Sequence, residues 1–456
     1  MTPPERGDAR PHPVTPDVHP PREVLQIARK LEKAGFETWC VGGAVRDALL
    51  GHRHLDWDLA TVAKPEEIRR IFARTVPVGI EFGTVGVLDN KGVMHEVTTY
   101  RRDVQTDGRH AVVEFGATLD EDLARRDYTI NAIAFSPTQR SWHDPFDGRV
   151  DLEQGVVRAV GEPSERMRED RLRALRGMRF AARFDFEIEA DTWRSIVASA
   201  PDLARLSAER VKQEIEKTME QVRLPSRAFR MWRDSGALGV LIPALAEITD
   251  LHLAALDHLR IPGMVTRPQR KVMRLTGLFA GAKPREVAAT LKSLRFSNAE
   301  TRWISGVLDA WHQLSDEMGQ ALMADVAPAD RALRRWAAIA GRTRLASVLR
   351  LADALWWAEC AAGVPAPSRE RVSSVYRRAI RIAYRDPIDV GDLAIGGSDL
   401  ERIGITGPAV GRALRGLLER VINDPNVNTH DRLLAIASGE EFAAGGPSQQ
   451  QRGPGG

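Results

Sequence analysis

Lysine and cysteine are the scarce residues of this 456-residue chain. Of 65 basic residues only 9 are lysines, leaving 56 arginines, and no lysine follows Lys292. The 2 cysteines, Cys40 and Cys360, lie 320 positions apart, which excludes a disulfide framework and zinc-knuckle spacing and points to a reducing cytoplasm. No run of 18 uncharged apolar residues occurs, and the chain opens on proline and charge rather than an apolar stretch. Neither a membrane-spanning helix nor secretion is therefore expected. What is present suits ordinary cores: 43% hydrophobic and 28% charged residues, with a net charge of +3. Arginine's fork binds phosphate in two places at once, so the arginine excess fits nucleotide or nucleic-acid partners; a GC-rich genome would produce the same bias.

At roughly 150 residues per domain, the length suggests about three domains, or two with a helical extension. Residues 1–21 hold seven prolines and no apolar periodicity, and are expected to be a disordered leader. Residues 22–150 mix helix and strand signals; Val85–Leu88, Val93–Tyr100 and Ala111–Phe115 are short β-rich runs. Beyond about residue 160, 3.6-period segments dominate, as in the stripe of Leu172, Leu175, Met178 and Ala182. The expected class is α+β: a mixed head at 22–150, an all-α neck at 151–225, a body at 226–325 and a tail at 326–438. Residues 439–456, rich in Gly and Gln, are expected to be disordered.

The most informative stretch runs from Cys40 to Thr61. Leu55, Trp57 and Leu59 alternate with Asp56 and Asp58, so a strand would send the apolar side chains to the core and both carboxylates to the other face. Two aspartates side by side repel unless a cation sits between them, and hard oxygen ligands suit Mg²⁺ carrying a substrate phosphate. Upstream, Gly42-Gly43 follows an apolar run and opens a helix through Val45-Arg46-Asp47. Such a turn exposes backbone N–H groups to a phosphate chain.

With these residues in place, the sequence resembles class II tRNA nucleotidyltransferases and bacterial poly(A) polymerases, which have a polymerase β-like nucleotidyltransferase head. The resemblance carries through four further motifs. Arg125-Arg126-Asp127-Tyr128 and Asn131 match the second motif, in which Phe usually stands at Tyr128. The resemblance implies that Arg125 and Arg126 hold a triphosphate, Asp127 the ribose, and that Asn131 braces the loop. Asp144 to Gly148 with Asp151 resemble a third, structural turn. Glu169-Asp170-Arg171-Leu172-Arg173 with Arg176 and Arg179 match the fourth. An acceptor beside a donor fork can pair with the edges of cytosine and adenine and mismatch uracil and guanine, so Asp170 and Arg173 are expected to select the base. Ser207, Arg210 and Glu214 resemble the fifth motif, with Ser207 as a helix cap and Arg210 as a brace.

The resemblance further implies Mg²⁺ (two ions) on Asp56 and Asp58, with Glu96 as a candidate third metal ligand, and a phosphate cradle of Gly42, Gly43, Arg46, Arg125 and Arg126. Residues 101–116, with Asp107 and Arg109, occupy the place of the family's flexible loop. Arg171 replaces a usual Pro, and Asp185 a common Gly. Phe279 and Ala280 stand where relatives with a phosphohydrolase domain carry His-Asp, so that activity is not expected. In the tail, Arg334, Arg335, Arg377, Arg378 and Arg381 are candidate RNA contacts, whereas Trp336, Trp356 and Trp357 read as core. The expected activity is CCA addition to the 3′ end of tRNA from CTP and ATP. Poly(A) synthesis, A-only or CC-only addition, and RNA binding by an inactive head remain the alternatives.

Overall fold

The computed structural model describes residues 18–52, 56–106, 111–259 and 267–439. Two compact units divide at Ala246 and Glu247. The first begins with α1 (Arg22–Lys33), β1 (Thr38–Val41), α2 (Gly43–Leu49), β2 (Asp58–Thr61), α3 (Pro65–Ile71), β3 (Thr75–Gly79), β4 (Thr84–Leu88) and β5 (Met94–Thr99). A hairpin of β6 (Arg101–Thr106) and β7 (Ala111–Phe115) follows, then α4 (Leu119–Ala124), β8 (Ala134–Ser136) and β9 (Ser141–His143). Five helices lead on: α5 (Gly148–Gln154), α6 (Pro163–Glu169), α7 (Leu172–Phe184), α8 (Ala190–Ser199) and α9 (Ala208–Gln221).

Seven strands form one mixed sheet in the order β3-β4-β5-β2-β1-β8-β9. The central pairing decides the chemistry. β2 runs parallel to β5, with Leu59 opposite Val97, and antiparallel to β1, with Asp58 opposite Val41. β2 itself is buried at Leu59, Ala60 and Thr61 and half-buried at Asp58, and just before it Trp57 is buried while Asp56 is exposed, so the expected alternation holds from 56 to 59 and ends at Ala60. That register sets Asp58 beside Glu96 on the neighbouring strand and brings Asp58 to the end of β1, where the glycine turn begins.

In the place of the family's flexible loop, residues 101–106 and 111–115 form a separate antiparallel ribbon with Arg101 opposite Phe115, and the expected β-rich run Ala111–Phe115 is its second strand. Arg102 ties it down through Glu114 at 2.9 Å and Glu121 at 3.4 Å. Asp107 and Arg109 lie outside the described residues.

On α7 the apolar stripe Leu172, Leu175, Met178 and Ala182 is buried as its period implies. The helix stops at Asp185, which takes a left-handed conformation with φ of 62°. Aspartate tolerates that region better than most residues, and Arg227 donates to its carboxylate, so the glycine expected there is dispensable.

Every described element of the second unit is a helix, from Asp250–His258 to His430–Ser438. Its long helix Asn298–Met323 starts at a capping box in which Ser297 and Glu300 exchange hydrogen bonds. Phe279 and Ala280 are buried. His258 pairs with Asp353 at 3.4 Å and stacks on Trp357, which is 40% exposed rather than core; Trp336 and Trp356 are buried as expected. Among the described residues no helix is long and apolar enough to cross a membrane.

Candidate active site

The carboxylates come first. No described residue donates a hydrogen bond or ion pair to Asp56, Asp58 or Glu96. Burial pushes the Asp58 carboxyl up to about 6; the neighbouring charge of Glu96 adds to this, Arg126 opposes it, and Asp56 adds further. An unpaired, partly buried acid held among like charges has the character of a cation site. Among the described residues no group of three or more His, Cys, Asp or Glu side chains is placed to hold a metal ion by itself.

Beside Asp58 the chain leaves β1 through Gly42, whose φ of 76° only glycine adopts readily. A Cβ there would lie 2.9 Å from Arg126 Nη1, so the guanidinium sits directly on the turn. Arg126 thus lies at the glycine turn and within electrostatic reach of Asp58.

Asp122 holds this guanidinium, a role the sequence reading did not assign. Its Oδ1 accepts from Arg125 Nε at 3.0 Å and Nη2 at 2.8 Å, and its Oδ2 from Arg126 Nη2 at 3.1 Å. Burial would raise this carboxyl, but Arg126 and Arg125 outweigh it and hold it below its ordinary value. The spacings i,i+3 and i,i+4 were the available signal. Thr118 caps the helix that carries Asp122, exchanging hydrogen bonds with Glu121.

Asp127 is buried with both oxygens held in place: Oδ1 accepts from the Tyr128 amide and Asn131 Nδ2, each at 2.9 Å, and Oδ2 from Arg176 Nε at 2.7 Å. Burial alone would raise its carboxyl; Arg176 and Asn131 bring it down to about 2. Arg176 was expected at the nucleotide, and here it orients Asp127. Asn131 braces the loop from its other end, accepting from Arg46 Nη1.

Arg46 departs from the expected phosphate cradle. It is buried, pairs with Asp47 at 2.6 Å, and lies over the rings of Phe184 and Phe180 at 4.7 and 5.0 Å. An arginine so enclosed braces the turn and has no free edge for a ligand. Arg179 departs likewise: it is buried against Glu214 on α9, Nε to Oε2 at 2.6 Å.

Asp170 and Arg173, the residues expected to select the base, do not share one helix. Asp170 sits between α6 and α7 with extended φ and ψ of −145° and 103°, and only Arg173 lies within α7. The two side chains are held separately. Asp170 Oδ2 accepts from Arg210 at 2.7 Å, and Oδ1 from the Leu172 amide at 3.0 Å. Arg173 donates to Glu169 at 2.7 Å and to the Arg125 carbonyl at 2.8 Å. Arg210 is thus the brace expected of it, while Ser207 sits at the N-cap without a side-chain capping bond.

A family model described as the poly(A) polymerase head domain matches residues 38–158, and one described as the probable RNA and SrmB-binding site of polymerase A matches residues 185–249. CCA-adding enzymes of Streptococcus mutans and Streptococcus suis are each 48% identical over 200 and 231 residues, 43% and 50% of this chain and 49% and 56% of theirs. The chain thus spans about half the length of the curated relatives it matches. The crystal structure of the Bacillus stearothermophilus CCA-adding enzyme in complex with CTP is 30% identical, with a TM-score of 0.69 over 91% of this chain and 96% of that one. The chain belongs to the tRNA nucleotidyltransferase and poly(A) polymerase family. At 21% identity, the Thermotoga maritima CCA-adding enzyme complexed with tRNA shares the fold, with a TM-score of 0.61 over 91% of this chain and 93% of that one.

Within the family's helical second unit, the expected RNA-contacting arginines divide. Arg334 is a correction: it is buried and donates to the carbonyl of Ile422 at 2.7 Å and to Asp386 at 3.1 Å, latching three segments together. Arg335 and Arg378 reach Glu317 and Asp330 at 3.0 and 2.9 Å. Arg377 and Arg381 are exposed on the helix Arg369–Arg385. Tyr384, 60% exposed one turn beyond Arg381, joins them on one face, an aromatic neighbour that the charge pattern did not flag.

Proposed function

We propose that this chain extends the 3′ end of tRNA with CMP and AMP from CTP and ATP, releasing pyrophosphate. The observation that carries the proposal is the placement of Arg126, seated on Gly42 and within electrostatic reach of the unpaired Asp58. Asp56 and Asp58, with Glu96 beside them, would hold two Mg²⁺ ions. Bound there, the ions supply activation of the primer hydroxyl and neutralisation of the departing pyrophosphate. The Gly42-Gly43 backbone and the Arg125 and Arg126 guanidiniums bind the triphosphate, with Asp122 fixing their direction. Asp127 accepts from the ribose. Asp170 and Arg173 present an acceptor and a donor fork to the base, so cytosine or adenine pairs and uracil or guanine leaves buried groups unpaired.

Residues 22–150 are the catalytic head and 151–225 the base-reading neck; the body spans 226–325, and the tail at 326–438 holds RNA through exposed arginines such as Arg377 and Arg381. The free thiols Cys40 and Cys360 suit a cytoplasmic setting.

The test is extension of a tRNA transcript lacking its last three nucleotides, with Mg²⁺, CTP and ATP. Three-nucleotide extension that stops on chelation of the metal is expected; tight tRNA binding without extension would contradict the proposal. A second expectation concerns the clamp. Asp122→Asn removes the charge that aligns both guanidiniums and should weaken triphosphate binding about tenfold, a cost of one charge-assisted contact. Calorimetric titration of CTP against the two proteins checks it, and unchanged affinity would exclude the clamp.

A further inference from the structure

Tyr128 follows Asp127 directly, and its side chain is fully buried. Its amide donates to Asp127 Oδ1 at 2.9 Å, and its hydroxyl donates to the backbone carbonyl of Arg173 at 2.6 Å. The ring packs edge-on against Phe180, with centroids 6.0 Å apart. A phenylalanine ring would fill the same apolar space, so the hydroxyl oxygen is not needed for packing.

The opposite wall explains what the oxygen does. In an α-helix the carbonyl of residue 173 is paired with the amide of residue 177, and α7 carries glycine at that step. A Cβ on Gly177 would lie 2.2 Å from the Tyr128 oxygen and 2.7 Å from the ring carbon that bears it. The hydroxyl therefore occupies the volume a side chain at 177 would take, and from there reaches the helix backbone. Tyrosine and glycine are matched: either changed alone disturbs the contact.

The bond ends at Arg173, and Tyr128 begins at Asp127. Its amide and hydroxyl thus span from the carboxylate assigned to the ribose to the backbone of the arginine assigned to the base. The Arg173 side chain is held by other partners, Glu169 and the Arg125 carbonyl, so the hydroxyl acts on where the residue stands. We infer that the Tyr128 hydroxyl, seated on Gly177, is a positioning element that sets Arg173 at a fixed distance from Asp127 and sharpens selection of the incoming base. This rests on the proposed roles of Asp127 and Arg173.

The experiment uses the full chain, tRNA lacking its terminus, and single-nucleotide kinetics with CTP, ATP and UTP. Tyr128→Phe is isosteric and should fold. Its loss of one buried neutral hydrogen bond corresponds to about a fivefold effect. The expected result is a KM for CTP and ATP raised by about that factor, a CTP-over-UTP preference lowered by a similar factor, and kcat within about twofold. Gly177→Ala should be far more damaging, and the double variant Tyr128→Phe with Gly177→Ala should recover part of that loss, because removing the oxygen removes the 2.2 Å overlap. A Tyr128→Phe protein that keeps full base preference overturns the inference, as does one that only melts earlier. Equal damage from Gly177→Ala in the wild-type and the Tyr128→Phe backgrounds also overturns it. Wild-type protein that incorporates neither CTP nor ATP overturns the activity on which the inference stands. Wild-type protein that discriminates, beside a Tyr128→Phe protein that discriminates equally, overturns the positioning role alone.

Discussion

Asp58→Asn should reduce nucleotide incorporation by at least about a thousandfold, roughly 4 kcal/mol of transition-state stabilisation, while tRNA binding is retained. Trp57, just before β2, and Leu59 on it are buried, whereas Asp56 is exposed and Asp58 half-buried. The parallel register with β5 adds Glu96. Asp58, without a donor among the described residues, is costly to keep charged, as its raised carboxyl records. A carboxyl raised on folding loses stability in its charged form at neutral pH, so neutralising it should stabilise the fold, by on the order of 1 kcal/mol. Inactivity with equal or higher thermal stability is therefore the expected signature, measured by primer extension and a melting curve. Asp56→Ala should behave alike. Retained incorporation in either variant would remove the metal assignment.

The second large effect lies at the base. Asp170→Ala and Arg173→Ala should each lower the preference for CTP over UTP about a hundredfold, because a mismatch no longer leaves a buried group unpaired. Total incorporation should fall less than in Asp58→Asn, and Mg²⁺ dependence should be unchanged. Arg210 holds Asp170 at 2.7 Å, so Arg210→Ala should follow the same direction with a smaller amplitude. Competition between CTP and UTP in one reaction measures all three, and an unaltered ratio would refute the reading role.

Much of this site was legible in the sequence, for reasons specific to each residue. The alternation of Leu55, Trp57 and Leu59 with Asp56 and Asp58 singles out the two carboxylates because a strand's period is two. The Gly42 turn and the Arg125-Arg126-Asp127 run are contiguous, so local chemistry suffices. Asp122 lay at helical spacing from both arginines and could have been read from that alone. Glu96 could not be paired with Asp58 without the β2–β5 register. Arg46, Arg179 and Arg334 show the limit: each looks like a free cation in sequence, and each is buried on a partner 35 or more residues away, Asn131, Glu214 and Ile422. Spacing reports neighbours along an element and is silent on such pairings. In the ribbon, Ala111–Phe115 reads as a β-rich run in the sequence, while its partner Arg101–Thr106 shows itself only through the cross-strand register.

In the proposed function, protein side chains, without a nucleic-acid template, dictate which nucleotides are added and when addition stops. The most direct measurement is sequencing of the 3′ ends produced with Mg²⁺, CTP and ATP on three primers: tRNA lacking its terminus, tRNA ending in CC, and oligo(A). The account predicts CCA on the first, a single A on the second, and no long tail on the third. Long A tracts on oligo(A), addition of C or A alone across the tRNAs, or no extension of any primer would contradict it.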